Sequence, residues 1–143
     1  MIIREMSKED IPEVAAIEKL CFSQPWSERG FEEGLEASAI FLVAEENYRI
    51  LGYIGMYVSA PEGEITNVAV DPEMRSKGTG KALVDAMKQW ACDHGVTSII
   101  LEVRVSNAVA IHVYERIGFA KLGVRKNFYQ FPTEDAFVME VKN

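Results

Sequence analysis

The chain has 143 residues, of which 48% are hydrophobic and 26% are charged, and this balance is typical of one folded domain with a single buried core. The formal net charge of -7 at pH 7 argues against a general binding surface for nucleic acid or for an anionic membrane. No apolar run approaches the length of a membrane span, so no membrane partner is expected. We expect one domain over residues 1–143.

The amino-terminal segment predicts a short strand and two helices. Ile2 and Ile3 begin the strand, and Ser7–Asp10 resembles a capping box in front of apolar residues at helical spacing. Pro25 breaks this first helix, and Ser27 is a candidate N-cap for a second one.

Three β-rich runs follow, and their sequences are AIFLVAEE, ILGYIGMYVSA and EITNVAVDP. The polar segment Glu46–Arg49 predicts an antiparallel hairpin between the first two runs. Pro61–Gly63 predicts a turn before the third run, which Asp71 and Pro72 end.

The loop EMRSKGTGKALV comes next and places Gly78 and Gly80 directly before an apolar helical pattern. Such a loop usually binds phosphate, because the first N–H groups of a helix are unpaired and the helix dipole favours an anion. Substitutions exclude two common phosphate motifs. Arg75 and Ala82 replace the first glycine and the hydroxyl residue of a P-loop. Leu83 replaces the third glycine of the dinucleotide fingerprint.

The rest of the chain predicts a long amphipathic helix over Gly80–Asp93, the apolar strand TSIILEVRV and a further helix. Ser106 or Asn107 caps that helix, and Gly118 ends it. Two strands joined by a loop around Gln130–Glu134 complete the chain.

We therefore predict an α/β fold with a mixed central sheet of about seven strands and about four helices. Its one crossover should be parallel, which puts the glycine loop at the carboxyl end of a strand, where open α/β sheets bind ligands.

The cysteines and histidines predict neither a disulfide framework nor a metal site. Cys21 and Cys92 form no CxxC pair, and no secretory segment precedes them, so we expect a reduced protein in the cytoplasm. His94 and His112 are remote from each other and from the cysteines, so no metal is predicted.

The run VAVDP at Val68–Pro72, followed by Arg-x-x-Gly-x-Gly at Arg75–Gly80, resembles the GCN5-related N-acetyltransferase (GNAT) superfamily. The resemblance covers nearly the whole chain in order, although Ser76 stands where the family commonly has glycine. It implies acetyl-coenzyme A as co-substrate, with the pyrophosphate on backbone N–H groups of the loop and the pantetheine arm along the preceding strand. The implied coenzyme contacts are Val68, Ala69, Val70, Arg75, Ser76, Lys77, Gly78, Thr79, Gly80 and Asn107.

Three further stretches resemble the RimI type of the family, the bacterial N-acetyltransferases of ribosomal-protein amino termini. They are PWSE, LEVRVSNAVAIHVYERIGF and RKNFYQFPTEDAFVMEV. The resemblance implies Glu102 as general base and Tyr114 as general acid. It also implies a ribosomal-protein N-terminus as the partner, with the N-terminal alanine of the eighteenth small-subunit protein as acceptor. A monomer or weak dimer is expected.

The chemistry requires a neutral amine, and an α-amino group has a pKa of about 7.7 to 8.0. Glu102 could accept the proton, or it could simply pair with Arg104 or Arg125. Tyr114 could protonate the departing thiolate, or it could be an ordinary core aromatic. Asn107 lies on the same helical face as Tyr114 and could be an N-cap, a coenzyme ligand or both.

The acceptor site is implied by resemblance to N-terminal acetyltransferases, in which two loops clamp the amino end of the peptide. Four aromatic residues could wall a narrow slot that excludes a lysine side chain, or they could be core residues: Phe22, Trp26, Phe128 and Tyr129. Direct transfer is expected because neither cysteine lies in the motif strands or the cleft-forming loops. Two rival functions stay open, namely acetylation of a lysine or small amine and a non-catalytic acetyl-coenzyme A sensor.

Overall fold

A computed structural model of the chain describes residues 1–75 and 77–143. The strands in these residues are β1 (Ile2–Glu5), β2 (Ala39–Glu46), β3 (Arg49–Ser59), β4 (Glu62–Val70), β5 (Ser98–Arg104), β6 (Ala120–Tyr129) and β7 (Glu134–Lys142). The α-helices are α1 (Ile11–Cys21), α2 (Glu28–Glu36), α3 (Thr79–Asp93) and α4 (Ala108–Ile117). Short 3-10 turns over Lys8–Asp10 and Pro72–Met74 complete the regular structure of the described residues.

The seven strands form one mixed sheet in the order β1-β2-β3-β4-β5-β7-β6. Only β4 and β5 run parallel, and α3 connects them. The other neighbours are antiparallel. The predicted fold class and the order of elements are therefore confirmed.

Alternation along the strands builds a separate apolar cluster on each face of the sheet. In β2, Leu42 and Ala44 pack with side chains of α3 and α4, whereas Phe41 and Val43 pack with α1 and α2. This follows from the two-residue period of a strand, which sends neighbouring side chains to opposite faces.

Local signals set the helix ends. Ser27 caps α2 by accepting a hydrogen bond from the Gly30 N–H at 3.1 Å. Asn107 rather than Ser106 caps α4, and Gly118 ends that helix in the left-handed conformation, with φ of 117°.

The turns are shorter than predicted. The hairpin between β2 and β3 turns at Asn47 and Tyr48 alone, both with positive φ, because Glu46 and Arg49 pair as strand residues. Glu62 likewise pairs with β3 and is the first residue of β4. The turn between β3 and β4 therefore does not extend over the predicted Pro61–Gly63.

The central strands β4 and β5 separate partway along their length. They pair from Glu62 opposite Ser98 to Ile65 opposite Leu101, and no pairing between them continues beyond that point in the described residues. A bulge at Thr66 shifts the register of β4 against β3 at the same level. The result is a wedge-shaped opening between the carboxyl ends of two parallel strands, where ligands of such sheets bind.

Candidate active site

A cavity of about 970 Å³ lies at the opening between β4 and β5. Its walls come from the end of α1 with the following loop, the middle of β4, the end of β5 with the start of α4, and the loop between β6 and β7. The fold thus brings together segments from both ends of the sequence.

Glu102 lies on β5, one residue past the last pair between β4 and β5, and its side chain lines the cavity. Burial and the nearby Glu64 carboxylate raise its pKa above the ordinary range, and the Arg125 guanidinium opposes that rise. The Arg125 Nε to Glu102 Oε1 distance is 3.5 Å. Arg104 instead pairs with Glu134, so of the two ion-pair alternatives only Arg125 is observed.

Tyr114 is both a core residue and part of the cavity wall. It is 9% exposed and packs against Phe119, with ring centroids 5.8 Å apart. It also lines the cavity, as Glu102 and Asn107 do. Burial, with a smaller contribution from Tyr129, raises the pKa of Tyr114 to about 12. Its phenol therefore keeps its proton at neutral pH.

Asn107 combines a structural role with a position in the cavity wall. Its Oδ1 accepts a hydrogen bond from the Ala110 N–H at 3.2 Å, which caps α4. The cap uses only the oxygen, so the amide nitrogen retains two N–H donors for a ligand.

The glycine loop forms the N-terminus of α3. Gly78 is the N-cap residue and has φ of 80°, in the left-handed region that favours glycine. The first intrahelical bond runs from the Ala82 N–H to the Gly78 carbonyl at 3.0 Å. The N–H groups of Thr79, Gly80 and Lys81 precede it and have no intrahelical acceptor.

Charged side chains flank this helix terminus. Lys77 is exposed, and Lys81 pairs with Asp85 at 2.7 Å. Arg75 folds back toward β4, where its Nε donates to the Val70 carbonyl at 3.3 Å. The predicted contact Ser76 lies outside the described residues.

The three residues of β4 that were predicted to contact the coenzyme differ in their surroundings. Val68 lines the cavity, whereas Ala69 is buried in the apolar cluster beneath α1 and α2. The Val70 carbonyl already accepts hydrogen bonds from Arg75 and Cys21. Beyond Ile65, β4 has no strand paired to it on the side away from β3 in the described residues, so backbone groups on that side can pair with a bound ligand.

The four aromatic residues predicted for the acceptor slot, Phe22, Trp26, Phe128 and Tyr129, all line the cavity. Phe22 and Phe128 are exposed, whereas Trp26 also packs against Phe31 with ring centroids 5.5 Å apart. Arg104 lies over the ring of Tyr129 at 4.5 Å.

Contacts that no sequence pattern indicated hold the loop between β6 and β7. The Arg104 guanidinium donates to Glu134 Oε1 at 3.1 Å and to the Pro132 carbonyl at 2.9 Å. The second Glu134 oxygen accepts from the Ser106 N–H at 2.8 Å. About thirty residues separate Arg104 from Glu134 in the chain, so no local spacing could reveal the pair.

Glu18 was also missed, although it is 1% exposed and lines the cavity. Its carboxylate accepts hydrogen bonds from the Tyr53 hydroxyl, from the Trp26 N–H at 3.1 Å and from Asn67 Nδ2 at 3.2 Å. Burial raises its pKa, and these three donors oppose the rise. A signal was present: Glu18 follows Val14 by four residues on the apolar face of α1.

Cys21 lies outside the motif strands and the cleft-forming loops, as expected, but the end of α1 nevertheless brings it into the cavity wall. Its Sγ lies 3.4 Å from the Val70 carbonyl and 3.3 Å from Arg75 Nη2. Burial raises the pKa of this thiol despite the adjacent guanidinium. Cys21 lies at the cavity because α1 packs against β4. The order of residues in the sequence does not reveal this packing.

Residues 1–75 and 77–143 contain no group of three or more His, Cys, Asp or Glu side chains that could hold a metal ion. Across the same residues, every helix is too short or too polar to cross a membrane.

Comparison with known proteins identifies relatives over nearly the full length. The model of the acetyltransferase (GNAT) family matches residues 11–119. The ribosomal protein bS18-alanine N-acetyltransferase of Escherichia coli (strain K12) is 33% identical over 96% of this chain and 94% of that protein.

Many solved structures match the fold, including those of two N-acetyltransferases. The crystal structure of the ribosomal-protein-S18-alanine N-acetyltransferase from Escherichia coli is 31% identical, covers 99% of this chain and 92% of that one, and superposes with a TM-score of 0.92. The PaiA N-acetyltransferase of Thermoplasma acidophilum, solved in complex with coenzyme A, has a TM-score of 0.79 at 21% identity over 99% of this chain and 98% of that one.

Proposed function

This chain belongs to the acetyltransferase (GNAT) family, whose members are acyltransferases that use acetyl-coenzyme A, and we propose that it acetylates the N-terminal amine of a protein. The acceptor that we assign is the N-terminal alanine of ribosomal protein bS18. The observation that carries this proposal is the 33% identity, over nearly both full lengths, to an enzyme named for that acceptor.

The N-terminus of α3 fits the coenzyme. Gly78 brings the backbone close without a side chain, and the N–H groups of Thr79, Gly80 and Lys81 lack intrahelical acceptors. The Thr79 hydroxyl is buried without a hydrogen-bond partner among the described residues. A pyrophosphate at this terminus would supply acceptors for these donors. Acetyl-coenzyme A, when bound, supplies the thioester that makes the acetyl group transferable.

We assign the general-base role to Glu102. It lines the cavity at the end of β5. Burial and Glu64 raise its pKa, so this pKa lies closer to that of an α-amine than the pKa of an exposed carboxylate does. Glu102 would accept a proton from the acceptor amine, directly or through water, before the amine attacks. Arg125 at 3.5 Å favours the ionised form of the carboxylate.

Tyr114 is the proposed general acid. Its phenol holds a proton firmly at neutral pH, with a pKa of about 12, so transfer to the departing sulfur would have to accompany bond cleavage rather than precede it. Asn107 on the same helix would add its amide N–H donors to the coenzyme side of the cavity.

Direct transfer remains our proposal although Cys21 lies in the cavity wall. Burial raises the pKa of the Cys21 thiol, which lowers the fraction of reactive thiolate at neutral pH. Neither histidine is among the residues that line the cavity in the described chain, so the thiol has no imidazole base there.

The test compares coenzyme A release and peptide mass for two acceptors. One is an alanine-initiated peptide with the bS18 N-terminal sequence, and the other is an N-blocked peptide that contains lysine. We expect acetylation of the first only. Glu102→Gln should lower kcat by about 10² to 10⁴, the usual contribution of a general base. Glu140→Gln is the control, because Glu140 bonds to Ser98 on β5 but does not line the cavity.

Acetylation of the blocked lysine peptide would contradict the proposed acceptor. It would leave the family and the use of acetyl-coenzyme A unchanged. Coenzyme binding without turnover on either peptide would favour a sensor. Equal activity of Glu102→Gln and Glu140→Gln would remove Glu102 from the mechanism.

A further inference from the structure

Glu18 is a carboxylate buried in the wall of the cavity. Among residues 1–75 and 77–143, no Lys, Arg or His forms an ion pair with it. Asp10, the other buried carboxylate among the described residues, pairs with Arg4 at 2.7 Å. A buried charge is unfavourable unless something offsets it, and Glu18 has only neutral donors for this purpose.

Asn67 connects this carboxylate to the cavity. Because an ionised carboxylate only accepts hydrogen bonds, the Asn67 nitrogen must face Glu18, and it does so at 3.2 Å. The other end of the amide, Oδ1, is buried and has no hydrogen-bond partner in the described part of the chain. Asn67, Glu18 and Trp26 all line the cavity. One wall therefore presents, among the described residues, a buried carboxylate without a cationic partner and an amide oxygen without a donor.

An ammonium group supplies both missing features, namely a positive charge and N–H donors. We propose that Glu18 is a positioning residue that draws in the acceptor as its ammonium form, with the ammonium donating to Asn67 Oδ1 and the Glu18 charge stabilising it from behind. This inference rests on the proposed function. It adds a recognition site for the amine that is separate from the proposed base, Glu102.

The reaction itself would remove the charge on which this recognition depends. The acceptor amine at neutral pH is mostly protonated, because its pKa is about 7.7 to 8.0. Acetylation converts it into a neutral amide that carries no charge for Glu18 to stabilise. The site would thus favour the free N-terminus over the acetylated product.

The test measures the dissociation constants of two peptides for the protein saturated with coenzyme A, by isothermal titration calorimetry. One peptide has the alanine-initiated bS18 N-terminal sequence, and the other is its N-acetylated form. We expect Glu18→Gln to weaken binding of the free-amine peptide about tenfold and to leave the acetylated peptide nearly unchanged. In turnover, the KM of the free-amine peptide should rise while kcat does not fall.

Two variants separate charge from folding. Tyr53→Phe leaves the Glu18 carboxyl group in place but removes one donor that stabilises its ionised form, so it should reduce the preference for the free amine without abolishing it. Asp10→Asn removes a buried carboxylate that does not line the cavity, so it should lower stability without changing the ratio of the two dissociation constants. If Glu18→Gln does not fold, Asn67→Leu tests the same preference.

Equal weakening of both peptides in Glu18→Gln would mean that Glu18 only shapes the loop at Trp26, and would overturn the inference. Equal wild-type binding of the two peptides, with acetylation intact, would also overturn it and leave the proposed function standing. Failure of wild-type protein to bind either peptide, with coenzyme bound, would remove both.

Discussion

At the residue scale, Glu102 is subject to opposing electrostatic influences. Burial and Glu64 disfavour its charged form, whereas Arg125 favours it. Glu64 and Glu102 are on neighbouring strands, with Glu64 opposite Ile100 in the last paired stretch before β4 and β5 separate. The basicity of Glu102 therefore depends on a carboxylate that belongs to a different strand.

This arrangement predicts the pH dependence of the reaction. Protonation of Glu102 removes its ability to accept a proton, so kcat/KM should fall as the pH drops through the pKa of this residue. Because that pKa is raised, the fall should begin at higher pH than for an ordinary glutamate. Glu64→Gln removes the neighbouring negative charge and should move the acid limb to lower pH. The measurement is a profile of kcat/KM against pH for the alanine-initiated peptide.

Glu140→Gln provides the comparison for this profile, since Glu140 hydrogen-bonds to Ser98 and does not contribute to the pKa of Glu102. An acid limb that moves equally in both variants, or that does not move in Glu64→Gln, would contradict the assignment of the limb to Glu102.

At the scale of elements, the start of α3 depends on one backbone conformation. Gly78 has φ of 80°, and a Cβ added there would meet no atom within 4 Å among the described residues other than its chain neighbours. Substitution is therefore disfavoured by the backbone angle alone and not by crowding. The same residue leaves the helix terminus open to an anion.

Gly78→Ala should weaken coenzyme A binding about fivefold, because a left-handed alanine costs about 1 kcal/mol and the strained loop shifts away from the binding conformation. Isothermal titration with coenzyme A measures the effect. Gly123→Ala on β6 is the matched control, since Gly123 also has open space around its Cβ position but lacks the positive φ. Equal affinities of the two variants would rule out this role for Gly78.

At the scale of the whole molecule, the separation of β4 and β5 creates the site. The sheet is continuous up to Ile65 and Leu101 and then opens, so the cavity receives residues from four distant segments. Beyond Ile65, the side of β4 that faces away from β3 has no paired strand in the described residues, so backbone groups on that side are open to a ligand.

Coenzyme A should therefore slow amide hydrogen exchange most in the segment 66–71 and at the start of α3. The physical reason is that a ligand paired with this open edge protects amides that otherwise exchange through local opening. Strand β2 is paired on both sides and serves as the internal control. Similar slowing in β2 would indicate only global stabilisation, and unchanged exchange in 66–71 would contradict binding along β4.

Much of the architecture was predictable because its signals are local. The order of elements, the Ser27 cap and the end of α4 at Gly118 follow from side-chain preferences within a few residues. The turns at Asn47 and before Glu62 were predicted too long, because pairing with a neighbouring strand extends strands beyond the limits that turn-forming residues suggest.

The sequence by itself determined the fold class and the family resemblance, and its contiguous motifs are also the source of the proposed phosphate site at the glycine loop and of the proposed roles of Glu102 and Tyr114. Only the tertiary structure decided that Cys21 and Glu18 reach the cavity, that Arg125 rather than Arg104 pairs with Glu102, and that Asn67 keeps an unpaired oxygen. These contacts join residues that lie far apart in the chain. Packing sets their distances and burial sets their charge states, and neither quantity is encoded in the spacing of residues along a sequence.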